Sequence, residues 1–419
     1  MSATKIIDDD KLMVAEYFRQ GQPHAEWRKL REECPVYWSE PEGFRPYWSI
    51  TKHADILEVE GKPDVFINAP RFMVMPEAFE NYMAENFGSL DGLLRIVSQM
   101  DGEEHAKHRD LLKPWFAPKS LAARLQTIEE ICNSFFDKLQ QEGSKGEADF
   151  ALDLAFWYPL RVAGALLGIP EQDDKLVLEM AEDALSFRAP LPGEKSGFER
   201  VVDFCSAIAD QRRLDPKDDL ATFLVQSQID GKPLDPKDLI AHFFVVLTAG
   251  HDTTSSAITG GIKALLEHPD QLQMLRAEPS KIASAAEEIL RWVTPTVQFC
   301  RTATQDYVLR GQNIRKGDSL VLLYSSGNRD AEVFNDPDSF RIDRTPNPHL
   351  GFGAGVHSCL GSQLARMEVR CFLKVLLERI EHLELAGPTP YIAANLVTRL
   401  ERLPVRYAFY QGSPIRDVS

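Results

Sequence analysis

The chain has 419 residues, a formal charge of −16 and a pI near 5.2, with 44% hydrophobic and 26% charged residues. That balance describes an ordinary globular protein with a large core and excludes a disordered chain. The acidity argues against nucleic acid as a partner, because phosphate binding needs concentrated Lys and Arg, and the length admits one or two domains.

The opening "MSATKIIDDDKLMVAEYF" has neither the basic-then-apolar order of a signal peptide nor an apolar run of bilayer length, so a cytoplasmic protein without a membrane anchor is expected. Further on, "PVYWSE" and "PYWSITKH" flank "PEGFR", aromatic and β-branched runs around a turn that read as a hairpin in a β-richer stretch of about residues 35–65. Helical spacing then dominates. "AARLQTIEEICNSFFDKLQQ", "DFALDLAFWYPLRVAGALLGI" and "GFERVVDFCSAIADQRRL" place apolar residues three and four apart. Proline-rich patches near Pro190 and Pro233 read as loops between helices. From Lys237 to His268 runs "KDLIAHFFVVLTAGHDTTSSAITGGIKALLEH", which as one helix measures roughly 45 Å and crosses a whole domain. "YVLRGQNIRKGDSLVLLYSS" reads as two strands about a glycine turn, and "VTRLERLPVRYAFY" adds strand-like alternation near the end. The expected fold class is mainly α with a small β region, and with no repeat or low-complexity linker the expectation is a single domain over residues 1–419.

The six cysteines, Cys34, Cys132, Cys205, Cys300, Cys359 and Cys371, form no CxxC, which disfavours a disulfide framework or a four-cysteine zinc site. Cys359 differs from the others. It lies in the glycine-rich "GFGAGVHSCLG", whose glycines let the backbone approach a flat object, and it begins an amphipathic run of helix formers. At a helix start, unpaired N–H groups and the positive dipole end stabilise a thiolate, a metal ligand in waiting. The plainer alternative is a glycine turn ahead of a helix with an incidental cysteine.

The run Phe352-Gly353-Ala354-Gly355-Val356-His357-Ser358-Cys359-Leu360-Gly361 resembles the haem-binding signature of the cytochrome P450 family. Further family-like features follow in order along the chain: "HAKHR", "AGHDTT", "EEILR", Arg301 after that helix, and "GNRDAEVFNDPDSF" before the cysteine loop. The resemblance implies a triangular, mostly helical domain that binds haem b, with Cys359 as the iron ligand and with Phe352, Gly353 and Gly361 shaping the loop. His105, Arg109, Arg301 and His357 match positions that anchor the two haem propionates; taken singly, each reads more readily as a solvated surface charge, and Arg109 has Asp101 and Glu104 as alternative partners. Ala249 and Gly250 correspond to the oxygen pocket in the centre of the long helix, and Asp252 and Thr253 to an acid–alcohol proton relay. Without the resemblance, Gly250 reads as a close contact between helices.

Glu288 and Arg291 form the ExxR pair that in the family locks the fold behind the haem. Many relatives carry a third arginine where this chain has Ser339, which leaves Arg341 or Arg344 as substitutes. Val246, Leu247, Val297, Phe299, Leu396 and Val397 fall in variable, substrate-facing segments, as do "RFMVMPEAF" and "GLLRIV". The implied activity is a haem-thiolate monooxygenase acting with O2 on a small hydrophobic substrate, a terpenoid or aromatic hydrocarbon. Electrons would come from a ferredoxin of the two-iron, two-sulfur type and its flavoprotein reductase, since the chain shows no flavin, dinucleotide or iron–sulfur motif, and a monomer is expected. The rivals are a peroxide-dependent hydroxylase of the same fold, which would not need the relay, and a haem-thiolate sensor, which would need a signalling module. Arg366, Arg370 and Lys374 form a basic row at i, i+4 and i+8 beyond Cys359, a candidate docking face or a solvated one.

Overall fold

The computed structural model describes residues 5–92, 94–185 and 193–412, so the patch near Pro190 and Leu93 of "GLLRIV" lie outside the described residues. The N-terminal hairpin is present: Val36–Ser39 pairs antiparallel with Tyr47–Ile50, placing Val36 opposite Ile50 in the core. Trp38 and Trp48, two residues along on the same face, meet edge to face with ring centroids 5.1 Å apart. The stretch 35–65 does not form a sheet by itself. Helix His53–Glu60 follows the hairpin, and the sheet is completed from the distant half of the chain. Ser319–Leu323 lies parallel to Tyr47–Ile50, Gln298–Ala303 runs antiparallel to it, and Phe66–Ile67 closes the far edge.

Two turn segments differ from expectation, each because the backbone goes left-handed. "YVLRGQNIRKGDSLVLLYSS" holds three strands, since Tyr307–Leu309 and Gln312–Ile314 form a hairpin turning on Arg310 and Gly311 (φ 49° and 79°) ahead of Ser319–Leu323. The segment at Pro233 is a short hairpin, Gln228–Ile229 with Lys232–Pro233, turning on Asp230 and Gly231 (φ 52° and 74°). In both, two successive positive φ values match the twist of the flanking strands.

The helices bury the stripes that their spacing sets out. Leu125–Glu142 turns Ile128, Cys132, Phe135, Phe136 and Leu139 inward. Gly197–Leu214 starts at a capping box, in which Ser196 accepts the N–H of Glu199 and the Glu199 carboxylate accepts the N–H of Ser196. The long helix is continuous from Pro236 to Glu267, with Asp235 capping the N–H of Lys237 and Pro236 in the first turn. It packs on Trp157–Leu166, Ile282–Val293 and Ser362–Arg379. Gly260 and Gly261 let it approach Ile282–Val293 closely: a Cβ on either would come within 2.7 Å of Val293 or Ile289. No helix among the described residues is long and apolar enough to cross a membrane.

Candidate active site at the cysteine loop

The loop Leu350–Gly361 lies across the end of helix His53–Glu60. Asn328 fixes its start by accepting the N–H of Leu350 at 2.6 Å. Gly353 and Gly355 both have positive φ, and a Cβ on Gly355 would stand 2.4 Å from the backbone oxygen of Glu60, so only glycine permits this contact. A single 3₁₀ turn covers Gly355–His357, and the N–H of Cys359 donates to the Phe352 carbonyl at 2.8 Å.

The sulfur does not sit in the helix. Helix Ser362–Arg379 starts three residues after Cys359, with Gly361 at its N-cap. Of the six cysteines, Cys359 alone is exposed. The protein packed behind it pushes the thiol pKa up, while the N–H of Gly361 and the charges of Arg109 and Arg366 oppose that shift. The helix start therefore does not by itself favour the thiolate.

All four expected anchor residues converge on this loop. Arg109, on helix Gly102–Leu112, donates through Nη2 to the Ser358 carbonyl and lies 3.4 Å from its Oγ. His105 stacks on His357 with ring centroids 4.0 Å apart, and burial, with His357 and Arg109 beside it, pushes its pKa down to about 4. His357 Nε2 stands 3.7 Å from Asp101, whose carboxylate also accepts the N–H groups of Asn68 and Ala69. Arg301 is buried and donates to Glu60 at 2.9 Å. The alternative partners expected for Arg109 are engaged elsewhere: Asp101 as described, and Glu104 with Arg95 at 2.7 Å.

In the long helix, Ala249 is exposed, and Gly250 faces Ala163, whose Cβ would stand 3.6 Å from a Cβ on the glycine. The Thr253 hydroxyl donates back to the Ala249 carbonyl at 2.9 Å. Asp252 Oδ1 lies 3.4 Å from Arg399 Nε, and Arg399 donates to the exposed Glu182 at 2.8 Å.

Behind the loop, Arg291 makes a bidentate pair with Glu288, both bonds at 2.8 Å and both side chains fully buried. The third partner is Arg344, whose Nε lies 3.2 and 3.1 Å from the two Glu288 oxygens; Arg341 contributes only its backbone N–H, and its side chain turns to Asp343.

The substrate candidates divide. Phe299 and Leu396 join Phe72, Met73, Met75, Phe79 and Met83 in an apolar cluster roofed by helix Glu77–Phe87. Glu80, also buried on that helix, is clamped by Arg45 and Arg71 at 2.7 and 2.9 Å. Val246 is half-buried, and Leu247 is buried in the main core. Val297 belongs to the N-terminal cluster, and Val397 bridges Thr296.

Glu60, Asp101 and Arg399 carry no sequence signal of a site. Glu60 is the nearest to one, a carboxylate four residues after the buried Ile56.

The comparisons with known proteins bear on this geometry. Cytochrome P450-terp of a Pseudomonas species is 36% identical over 401 residues, covering 92% of this chain and 93% of the relative. The chain is a cytochrome P450. The family model for cytochrome P450 matches residues 198–399, and a steroid C26-monooxygenase of Mycolicibacterium smegmatis is 30% identical, with 97% of this chain and 98% of that one covered. Among solved structures, CYP108D1 from Novosphingobium aromaticivorans superposes with a TM-score of 0.90 at 31% identity, covering 97% of this chain and 100% of the other. CYP268A2 from Mycobacterium marinum, in complex with pseudoionone, superposes at 0.85 and 30% identity, with the same coverage. This P450 is accordingly a haem-thiolate monooxygenase that requires O2, a substrate and redox partners. Its residues fit the haem: Cys359 is an exposed cysteine in a loop held close to helix His53–Glu60, and two arginines and two histidines that can donate to carboxylates lie beside that loop.

Proposed function

We propose that this P450 hydroxylates or epoxidises a small hydrophobic molecule, a terpenoid or aromatic hydrocarbon, with Cys359 as the iron ligand and a ferredoxin, fed by its flavoprotein reductase, as electron donor. The observation that carries the reading is the convergence of His105, Arg109, Arg301 and His357 around the exposed Cys359. Each turnover places one oxygen atom of O2 in the substrate and reduces the other to water, consuming two electrons and two protons. Haem, when bound, supplies the centre at which O2 is activated, and the thiolate favours O–O cleavage.

The protein's own groups do the rest. Arg109 and Arg301 supply the positive charge that holds the two propionates, with the imidazoles of His105 and His357 as further hydrogen-bond donors. Asp252 and Thr253 deliver the protons. The Asp252 carboxylate reaches the surface through Arg399 and Glu182, while the Thr253 hydroxyl, now on the Ala249 carbonyl, turns to donate into the space left by Ala249 and Gly250. The cluster of Phe72, Met73, Met75, Phe79, Met83, Phe299 and Leu396 offers no charge, and methionines adapt to irregular hydrocarbon shapes. That chemistry suits a molecule with few polar groups, in keeping with the names of P450-terp and of the pseudoionone complex. We further read the chain as one haem domain, a cytoplasmic monomer; its main core cluster runs from Leu94 to Phe409.

Terpenes, alkylbenzenes, polycyclic aromatics, fatty acids and steroids, screened by the spectral change on binding, test the substrate class. Turnover with NADH, a ferredoxin and its reductase tests the donor. The reading predicts that terpenes or aromatics bind and are oxidised with NADH, and that peroxide alone gives little product. Exclusive binding of steroids or fatty acids, or equal turnover with peroxide, would overturn it.

A further inference from the structure

One carboxylate ties together three parts of the site described above. Glu60 ends helix His53–Glu60 and is 5% exposed. Its Oε1 accepts Arg301 Nη2 at 2.9 Å and the Tyr324 hydroxyl at 2.7 Å, and its Oε2 accepts the backbone N–H of Ala354 at 2.6 Å. Its backbone carbonyl is the surface on which Gly355 rests. A single side chain therefore reaches strand Gln298–Ala303, the end of strand Ser319–Leu323 and the cysteine loop. Arg301 in turn folds Nη1 back onto the Cys300 carbonyl at 2.8 Å. A guanidinium carries five N–H donors in a rigid fork, more than these acceptors use, so the fork keeps donors for a ligand carboxylate.

Two consequences follow. The fork cannot swing while Nη1 and Nη2 are both held, and Ala354 cannot move without breaking its bond to the same carboxylate. Burial pushes the Glu60 carboxyl up, while Arg301, Tyr324 and the N–H of Ala354 oppose that shift and favour its charged form; as a carboxylate at hydrogen-bond distance it offsets much of the Arg301 field at a third site, and fields act strongly in a dry interior. Arg301 without Glu60 would present a full positive charge to the haem.

We propose that Glu60 is a positioning residue of the haem site: it sets the Arg301 fork, ties down the cysteine loop, and by its negative charge holds the reduction potential of the haem below the value a neutral residue would give. The proposal rests on the haem-thiolate reading above. A brace that merely stabilised the fold would leave the potential unmoved.

The test is the midpoint potential of the haem-loaded enzyme by spectroelectrochemical titration, with the rate of haem transfer to apomyoglobin measured alongside. Glu60→Gln keeps the volume and removes the charge; reduction should become about tenfold more favourable, which is about 59 mV for one electron, and haem should leave several-fold faster. Tyr324→Phe removes a neutral donor and leaves the carboxylate less compensated, so its potential should move the opposite way by a smaller amount. Glu60→Asp should keep the parent's potential. A parent potential in Glu60→Gln overturns the proposal, as does one in Tyr324→Phe should Glu60→Gln fail to load haem. A parent enzyme that showed no thiolate spectrum would instead overturn the haem-thiolate reading, and the two failures are distinct.

Discussion

Thr253 and Asp252 are adjacent in sequence but differently placed, and the difference predicts different defects. Thr253 holds only a backbone carbonyl of its own helix, so Thr253→Ala disturbs nothing behind it. Haem content, substrate affinity and NADH consumption should survive, while product per NADH falls and hydrogen peroxide rises; a stoichiometric assay of NADH, O2, peroxide and product checks this. Full coupling in Thr253→Ala would contradict the relay. Asp252 is tied to Arg399 and through it to Glu182, so Asp252→Asn should slow turnover as a whole, by about 10²-fold if it supplies a typical proton-transfer contribution. Legibility at this scale followed the motif. Cys359 and His357 could be read from the loop motif, and His105, Arg109 and Arg301 from their match to positions that the family resemblance implies, whereas Glu60 and Arg399 act through partners more than a hundred residues away, and no local pattern records such a pairing.

The Glu288–Arg291 pair shows how one element closes a site without touching it. Helix Ile282–Val293 buries both charges completely, and Arg344 arrives from the segment ahead of the cysteine loop to complete the carboxylate's bonds. Arg344→Met should cost about 3–5 kcal/mol, the range for breaking a buried pair from one side, and should lower the thermal midpoint without changing which substrates bind. Gly260→Ala, which would press a methyl group against Val293 in the same helix contact, should cost about 1–3 kcal/mol. Differential scanning calorimetry of the haem-loaded enzyme measures both, and unchanged midpoints would count against the packing described. The elements were largely legible because each declares itself locally. The long helix, expected from Lys237 to His268, runs from Pro236 to Glu267 between the Asp235 cap and His268, which Pro269 drives out of the helical conformation. The Pro233 segment forms a hairpin on its Asp230-Gly231 turn, a signal that the neighbouring prolines mask.

Across the whole molecule, the acidic chain keeps its basic row near the cysteine loop partly compensated. Arg366 and Arg370 share Glu287, and Lys374 pairs with Glu129, so three cations face two carboxylates. Burial disfavours the Glu287 carboxylate, yet His349 and Arg366 hold its pKa at about 2. Reversing Arg370 and Lys374 should slow reduction by an acidic ferredoxin at low salt and leave substrate binding unchanged; stopped-flow rates that do not move would place the donor elsewhere. The sheet could not be read at this scale, because its order joins the N-terminal hairpin to strands near residues 300 and 320, a pairing set by tertiary packing. The claim on which the rest depends is that Cys359 binds the haem iron, and the carbon monoxide spectrum of the ferrous protein tests it most directly. The parent should show the red-shifted thiolate band, and Cys359→His, with its helical circular dichroism intact, should lose it; a band that persists in Cys359→His would contradict the account.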